Sequence, residues 1–485
     1  MGIVASQSFK NTITTYLGFA IGAINTLFLY TYFISDVYYG LIAFILSTAN
    51  IMTPLMAFGV NNTLVKFYST FKTKNSLNSF LTLMLFLPLL LIIPIGIIGI
   101  FSYDIIGELL SKKNSIVKDY VWYIYVSAIA MAYFEVFFAW SKTQMLTVFG
   151  NFMKEVWHRV GVMVLLFAVY LKWIDTNQLI IGVVIFYILR MIVMMFYAFS
   201  VRLPVFRFNR IENISSVLKY SSLIIIAGSI ATIILDIDSF MLGLYIPIEK
   251  VAYYGVAIYI ATVIAVPSRA MQQILQPLTA KFLNEKNKIA LKDLYIRSSQ
   301  TLFVIGGFIF LLIVLNINEL YHLIPKEFSG GLIVVFLVSV AKLYDNLMGC
   351  NNVVLFNSDY YRVVLLFGVI LTILTVLLNM LFIPKFGING SAFATFLAIS
   401  IYNTIKIYFV KKKFDMMPFN KETLKVCILL MVSIAVFYFW EFPFHPIVNI
   451  TLKTLLMTTF YVLVILKLNV SEDISVMIKK YLRIK

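Results

Sequence analysis

About fourteen stretches of roughly 20 mainly apolar residues follow one another along this chain, and no other feature constrains its fold so tightly. The windows lie near 9–33, 38–62, 79–101, 120–142, 151–171, 178–200, 216–240, 252–276, 298–317, 328–356, 362–383, 388–410, 423–440 and 447–467. In hydrocarbon every backbone N–H and C=O has to be satisfied inside the segment, so windows of this length read as spanning helices. Only short loops remain between them. Composition agrees, with 61% hydrophobic and 13% charged residues and a mean hydropathy of +0.94. A soluble surface would demand more polar groups. The fold class is therefore an all-α polytopic membrane protein with about 14 transmembrane helices.

The formal charge of +17 invites a nucleic-acid reading, but its distribution excludes one. With the amino terminus placed in the cytoplasm and sides alternating at each window, 31 of the 39 basic residues fall inside. The outer side receives Lys112, Lys113, Lys118, Lys172, Lys250, Lys326, Lys385 and Lys453. This is the positive-inside pattern of a protein with both termini cytoplasmic. The segment from Val470 to Lys485 reads as a short basic helix on anionic membrane lipid. The start Met1-Gly2-Ile3-Val4-Ala5-Ser6 formally matches a myristoylation pattern, which is common by chance and superfluous on such a chain. There is no small-residue cleavage site of a signal peptide.

The chain also repeats itself. Tyr38-Tyr39-Gly40 and Lys66-Phe67 return as Tyr253-Tyr254-Gly255 and Lys281-Phe282. The offset is the same for both, 253 − 38 = 215 and 281 − 66 = 215. Each copy holds a proline between its landmarks, Pro54 and Pro267. Internal repeats of this kind organise many transporters.

Polar residues inside spanning windows are costly and are functional candidates. Arg269 lies on a stripe with Thr262, Gln272, Gln273 and Gln276, suited to an anionic, hydroxylated ligand or to an interhelical hydrogen-bond cluster. Arg190 falls near the middle of the sixth window with no local partner, so it is expected to face the interior. Lys342 and Asp345 are spaced i, i+3, which allows a local ion pair as readily as a ligand role for Lys342. Asp236 is a candidate counter-ion or cation site. Asp238, some 200° around the same helix, reads as a packing group. Glu135, Lys142, His158 and Arg159 gather toward the inner ends of windows four and five, as gate residues or snorkelling charges. Asn25 shares a face with Gly18 and Gly22 in the first window, and Pro54 permits a bend in the second. The distant His158, His322 and His445 form no metal-spaced cluster, and Cys350 and Cys427 read as buried thiols. No catalytic residue and no cofactor are expected.

Taken together, the chain resembles the multidrug/oligosaccharidyl-lipid/polysaccharide exporter superfamily, in particular its O-antigen, Wzx-type polysaccharide flippases. The resemblance rests on the window count, the repeat, Asp238-Ser239-Phe240-Met241-Leu242-Gly243 before Ala252-Tyr253-Tyr254-Gly255, the run from Pro267 to Pro277, and Pro384-Lys385-Phe386-Gly387-Ile388-Asn389-Gly390-Ser391-Ala392. It implies two six-helix lobes in a V, here residues 1–214 and 215–415, with two additional helices and a basic tail in 416–485. It also implies a monomer in a bacterial inner membrane that moves a lipid-linked oligosaccharide to the outer leaflet for cell-surface polysaccharide or lipopolysaccharide synthesis, beside glycan assembly proteins. Substrate contacts would come from Arg269, Arg190, Lys342, Gln272, Gln273, Gln276 and Asn25, with Asp236 and Glu135 as ion or counter-ion residues. A cation-coupled multidrug antiporter of the same fold is the nearest alternative. A membrane-embedded glycan polymerase or transferase is the alternative of another class, disfavoured by short outer loops and the lack of paired carboxylates.

Overall fold

The computed structural model describes residues 3–209, 211, 213–468, 470–471 and 473–476. The amino-terminal dipeptide and most of the basic tail, on which the myristoylation and surface-helix expectations fall, lie outside the described residues. Among these residues there is helix and no strand. The first helix, α1, runs Ile3–Ile24 and continues through a π turn, Asn25–Leu29, into Tyr30–Phe33. Then come α2 (Asp36–Met56), α3 (Val60–Phe67), α4 (Lys74–Phe86), α5 (Leu89–Phe101), α6 (Tyr103–Ser111) and α7 (Val121–Lys142). The next, α8, joins Val148–Phe152, a second π turn Met153–Trp157, and His158–Tyr170. After it follow α9 (Thr176–Val201), α10 (Ile214–Tyr245), α11 (Glu249–Thr262), α12 (Val266–Asn284) and α13 (Lys288–His322). The last are α14 (Leu332–Leu347), α15 (Asn351–Asn357), α16 (Tyr361–Phe414), α17 (Lys421–Phe437) and α18 (Pro446–Leu468).

Every apolar window falls on helix. Eleven helical stretches among the described residues are long and apolar enough to cross a membrane. One of them, Arg362–Phe414, holds two windows, because Gly387 (φ 57°, ψ −133°) breaks the helix between them. Windows 151–171 and 423–440 lie on α8 and α17, outside those eleven. Side-chain caps set several helix starts. Asp175 accepts from Gln178 N at 2.7 Å while Gln178 Oε1 takes the Asp175 N–H at 2.9 Å, and Asn420 and Thr423 repeat the box.

Four windows are interrupted where periodicity predicts continuity, including the third at Leu87-Pro88, between α4 and α5. The second breaks at Phe58 and Gly59, both with positive φ, between α2 and α3. The eighth carries a 3₁₀ turn, Val263–Ala265, before Pro267 opens α12. The tenth breaks at Gly349, between α14 and α15. The seventh, α10, shows no break.

The chain divides into two compact units, residues 1–255 and 256–485. In the first, α10 packs along α2, while α7 packs against α2 and α9. A core of Leu64, Phe80, Met84, Phe134 and Trp140 fills the space between helices. The first helix and α8 pack beside each other around the two π turns. Asn25 Nδ2 donates to the Arg159 carbonyl at 2.7 Å, and a Cβ at Gly18 would sit 2.4 Å from the Glu155 carbonyl oxygen. In the second unit α17 and α18 pack on α13. Asn449 donates to Glu319 at 2.9 Å, buried Lys453 to the Leu315 carbonyl at 3.1 Å, and Tyr461 to the Val304 carbonyl at 2.8 Å.

Candidate substrate-binding site

In the first unit the inner charges of windows four to six sort into two ion pairs, a lysine over an aromatic ring, and Arg190. Glu135 on α7 is taken by Lys154 of the second π turn at 2.6 Å. Arg159 closes back on Glu155 at 3.0 Å. Lys142 caps its own helix face, with Nζ 3.9 Å from the centre of the Phe138 ring. What remains is Arg190 on α9. It is only 7% exposed, and its guanidinium lies 4.3 Å from the centre of the Phe134 ring and 4.7 Å from that of Tyr187. No carboxylate comes within ion-pair distance among the described residues, and its buried Nε has no hydrogen-bond partner. A planar cation stacked on aromatic faces keeps its charge where few acceptors exist. It leaves the fork of N–H donors available to an anion.

Asp236 on α10 accepts the Asn50 amide of α2 at 2.5 Å. Asp238 instead accepts the Tyr254 hydroxyl at 2.6 Å and is buried, so the two carboxylates do face different neighbours. Asn25, expected among the substrate contacts, spends its amide N–H on the Arg159 backbone, with its Oδ1 buried and unpartnered.

In the second unit the stripe of the eighth window is cut after Thr262 by the 3₁₀ turn, so Thr262 does not continue the α12 face. Arg269, Gln272 and Gln276 lie exposed on α12, and the side chain of Gln273 lies outside the described residues. The Gln276 carbonyl accepts from Asn357 at 3.0 Å. Arg269 makes no ion pair among the described residues. Lys342 and Asp345 form the i, i+3 pair at 3.5 Å, and Asp345 also accepts the Asn403 amide at 2.8 Å. Arg190 and the Lys342 pair are thus set within separate units. Sequence reasoning passed over Lys406, which the structure buries fully on α16.

The cavities outside these clusters are apolar. One of about 110 Å³ in the first unit is lined by Thr48, Met52, Tyr103, Trp122 and Tyr125 among others. Its tyrosine hydroxyls are spent on the Lys118 and Ile92 carbonyls at 3.0 and 2.7 Å, which leaves a hydrocarbon-like surface. Among the described residues no group of His, Cys, Asp and Glu is arranged to hold a metal.

Long apolar helices and an internal repeat, with a stacked intramembrane arginine, define a polytopic helical membrane protein. The chain belongs to the polysaccharide biosynthesis protein family, whose model matches residues 7–282, more than half of the 485 residues. Among solved structures it is similar to the lipid II flippase MurJ in an inward closed conformation, with a TM-score of 0.75 at 15% identity over 94% of this chain and 99% of that one. It is also similar to an inward-facing multidrug resistance MATE family transporter of the MOP superfamily, with a TM-score of 0.59 at 13% identity, covering 84% of this chain and 94% of that one. An outward-facing structure of such a transporter gives 0.53 at 12% identity, with 84% and 95% covered. At these identities the likeness is one of fold. No curated protein sequence matches the chain.

Proposed function

We propose that the protein is a flippase that carries a polyprenyl pyrophosphate-linked oligosaccharide from the inner to the outer leaflet of a bacterial cytoplasmic membrane by alternating access. The observation that carries this reading is Arg190, a buried guanidinium with no carboxylate in ion-pair contact among the described residues, in a spanning helix of a polysaccharide biosynthesis protein. Pyrophosphate and sugar hydroxyls cannot enter hydrocarbon unaided, since each unsatisfied polar group costs several kcal/mol. A stacked arginine replaces part of the lost hydration, with Arg269, Lys342 and the α12 glutamines as further contacts. In this reading residues 1–214 and 215–415 form the two lobes and 416–485 the additional helices and tail. A cell-surface polysaccharide such as O-antigen is the expected product, and both termini are placed in the cytoplasm.

The test is flipping of a fluorescent lipid-linked oligosaccharide by the purified protein in vesicles. With an interior-negative potential, each anionic charge moved outward gains about 2.3 kcal/mol per 100 mV. Outward flipping is expected to slow when the potential is collapsed, and an unchanged rate would remove the electrophoretic drive. A cation-coupled antiporter is the second reading, favoured by Asp236, whose carboxylate accepts the Asn50 amide. That reading predicts dependence on a sodium or proton gradient and transport of drug-like cations instead. Topology is checked separately. Single cysteines at Lys72 and Lys113 are expected to react from the inside and the outside, respectively, and the reverse would invert the orientation.

A further inference from the structure

The repeat offset of 215 carries Arg190 to position 405 (190 + 215), next to Lys406. Both cations sit on the sixth helix of their repeat half, and their surroundings match. Lys406 is 1% exposed, with its Nζ 4.0 Å from the centre of the Tyr402 ring, one turn earlier on the same helix. Arg190 lies over Tyr187, one turn earlier on its own helix. On the fourth helix of each half stands a carboxylate already claimed by a different lysine. Glu135 is held by Lys154 at 2.6 Å, and Asp345 by Lys342 at 3.5 Å. Asn403 donates a further bond to Asp345 at 2.8 Å. Lys406 itself has no carboxylate within ion-pair distance among the described residues. Its hydrogen-bond acceptor is the Asn352 amide oxygen of α15, at 2.9 Å.

Each half therefore neutralises its fourth-helix acid internally and leaves one buried cation over a tyrosine. An ammonium has three N–H donors, and a neutral amide oxygen satisfies one of them. A charge kept this deep with no carboxylate in ion-pair contact among the described residues is expensive, which marks it as a functional residue rather than a stabilising one. We propose that Lys406, Asn352 and Tyr402 form a second anion site that takes a phosphoryl oxygen of a phosphate or pyrophosphate ester. The inference rests on the proposed cargo and adds a site to it. The Asn352 oxygen occupies the place of the phosphoryl oxygen. Turning the amide opens the ammonium and presents the Asn352 NH₂ as a second donor.

The experiment is equilibrium binding of radiolabelled farnesyl pyrophosphate to the full chain in phosphatidylcholine nanodiscs, with labelled farnesol as the phosphate-free probe. Lys406→Met is expected to weaken farnesyl pyrophosphate binding about tenfold or more. It should leave farnesol binding unchanged and keep or raise thermal stability. Lys406→Arg should retain most of the affinity. If Lys406→Met does not insert, Lys406→Gln, which still hydrogen-bonds Asn352, carries the same expectation. Wild-type affinity in the variant, or equal loss of both probes, overturns the site. A wild-type protein that takes up no farnesyl pyrophosphate overturns the site and the pyrophosphate cargo together, so the two failures are told apart.

Discussion

Arg190→Met is expected to reduce glycan flipping by about 100-fold, the upper range for losing a charge-assisted hydrogen bond in a dry site, while the protein still inserts and folds. The side chain stacks on Phe134 and Tyr187 and makes no ion pair among the described residues, so methionine removes a charge that no direct ion pair holds in place. Replacing a buried, unpaired ion by an apolar chain of similar length is neutral or stabilising. Thermal melting should therefore hold or rise while flipping collapses. Arg190→Lys should rescue poorly, because an ammonium has no flat face to lie on two rings and no fork for bidentate phosphate binding. A purely structural role predicts the reverse, with melting lowered and flipping following it down. Rates in vesicles read beside melting curves separate the two.

Within the repeated motif, Gly40→Ala and Gly255→Ala are expected to act with opposite sign. A Cβ at Gly40 would lie 2.0 Å from the Ile248 carbonyl oxygen and 3.3 Å from Glu249 N. Those are backbone atoms that cannot swing aside, so α2 would have to leave the turn before α11. The same joint holds Tyr253, whose hydroxyl donates to the Asp36 carboxylate, and Tyr39, stacked on Tyr30 at 4.5 Å. The cost is at or beyond the usual overpacking range, about 3 kcal/mol or more, and should appear as lost insertion or a strongly lowered melting temperature. Gly255 has nothing within 4 Å of its would-be Cβ and sits inside α11. Alanine there should gain up to about 1 kcal/mol of helix propensity. Equal melting temperatures for the two variants would contradict the close approach.

The windows were legible because a spanning helix is recognised by local apolar length, and that property needs no partner. The gap between the windows ending at 383 and starting at 388 was legible too, and the helix breaks there at Gly387, which supplies a positive φ that most residues avoid. Less legible were the breaks at Phe58-Gly59 and Val263–Ala265. Pro54 and Pro267 announce bends, yet the break follows the first proline and precedes the second. Which side yields depends on what packs there. Ser221, on α10, donates to the Phe58 carbonyl at 2.5 Å and so satisfies the open turn. The stripe around Arg269 illustrates the same limit, because helical spacing assumes an unbroken helix and the 3₁₀ turn ends that assumption at Thr262.

By itself, then, the sequence determined an all-helical membrane protein, its internal repeat and the presence of costly cations such as Arg190 within spans. Each of these follows from solvation of one segment at a time. Only the tertiary structure decided which charges were already spent. It gave Glu135 to Lys154, Asp236 to Asn50 and Asp345 to Lys342 and Asn403, and left Arg190 and Lys406 on aromatic rings. The reason is geometric. Pairing in low dielectric is settled by the rotation and depth of neighbouring helices, and those are set by contacts such as Gly18 on Glu155 and Gly40 on Ile248 rather than by spacing along any one helix.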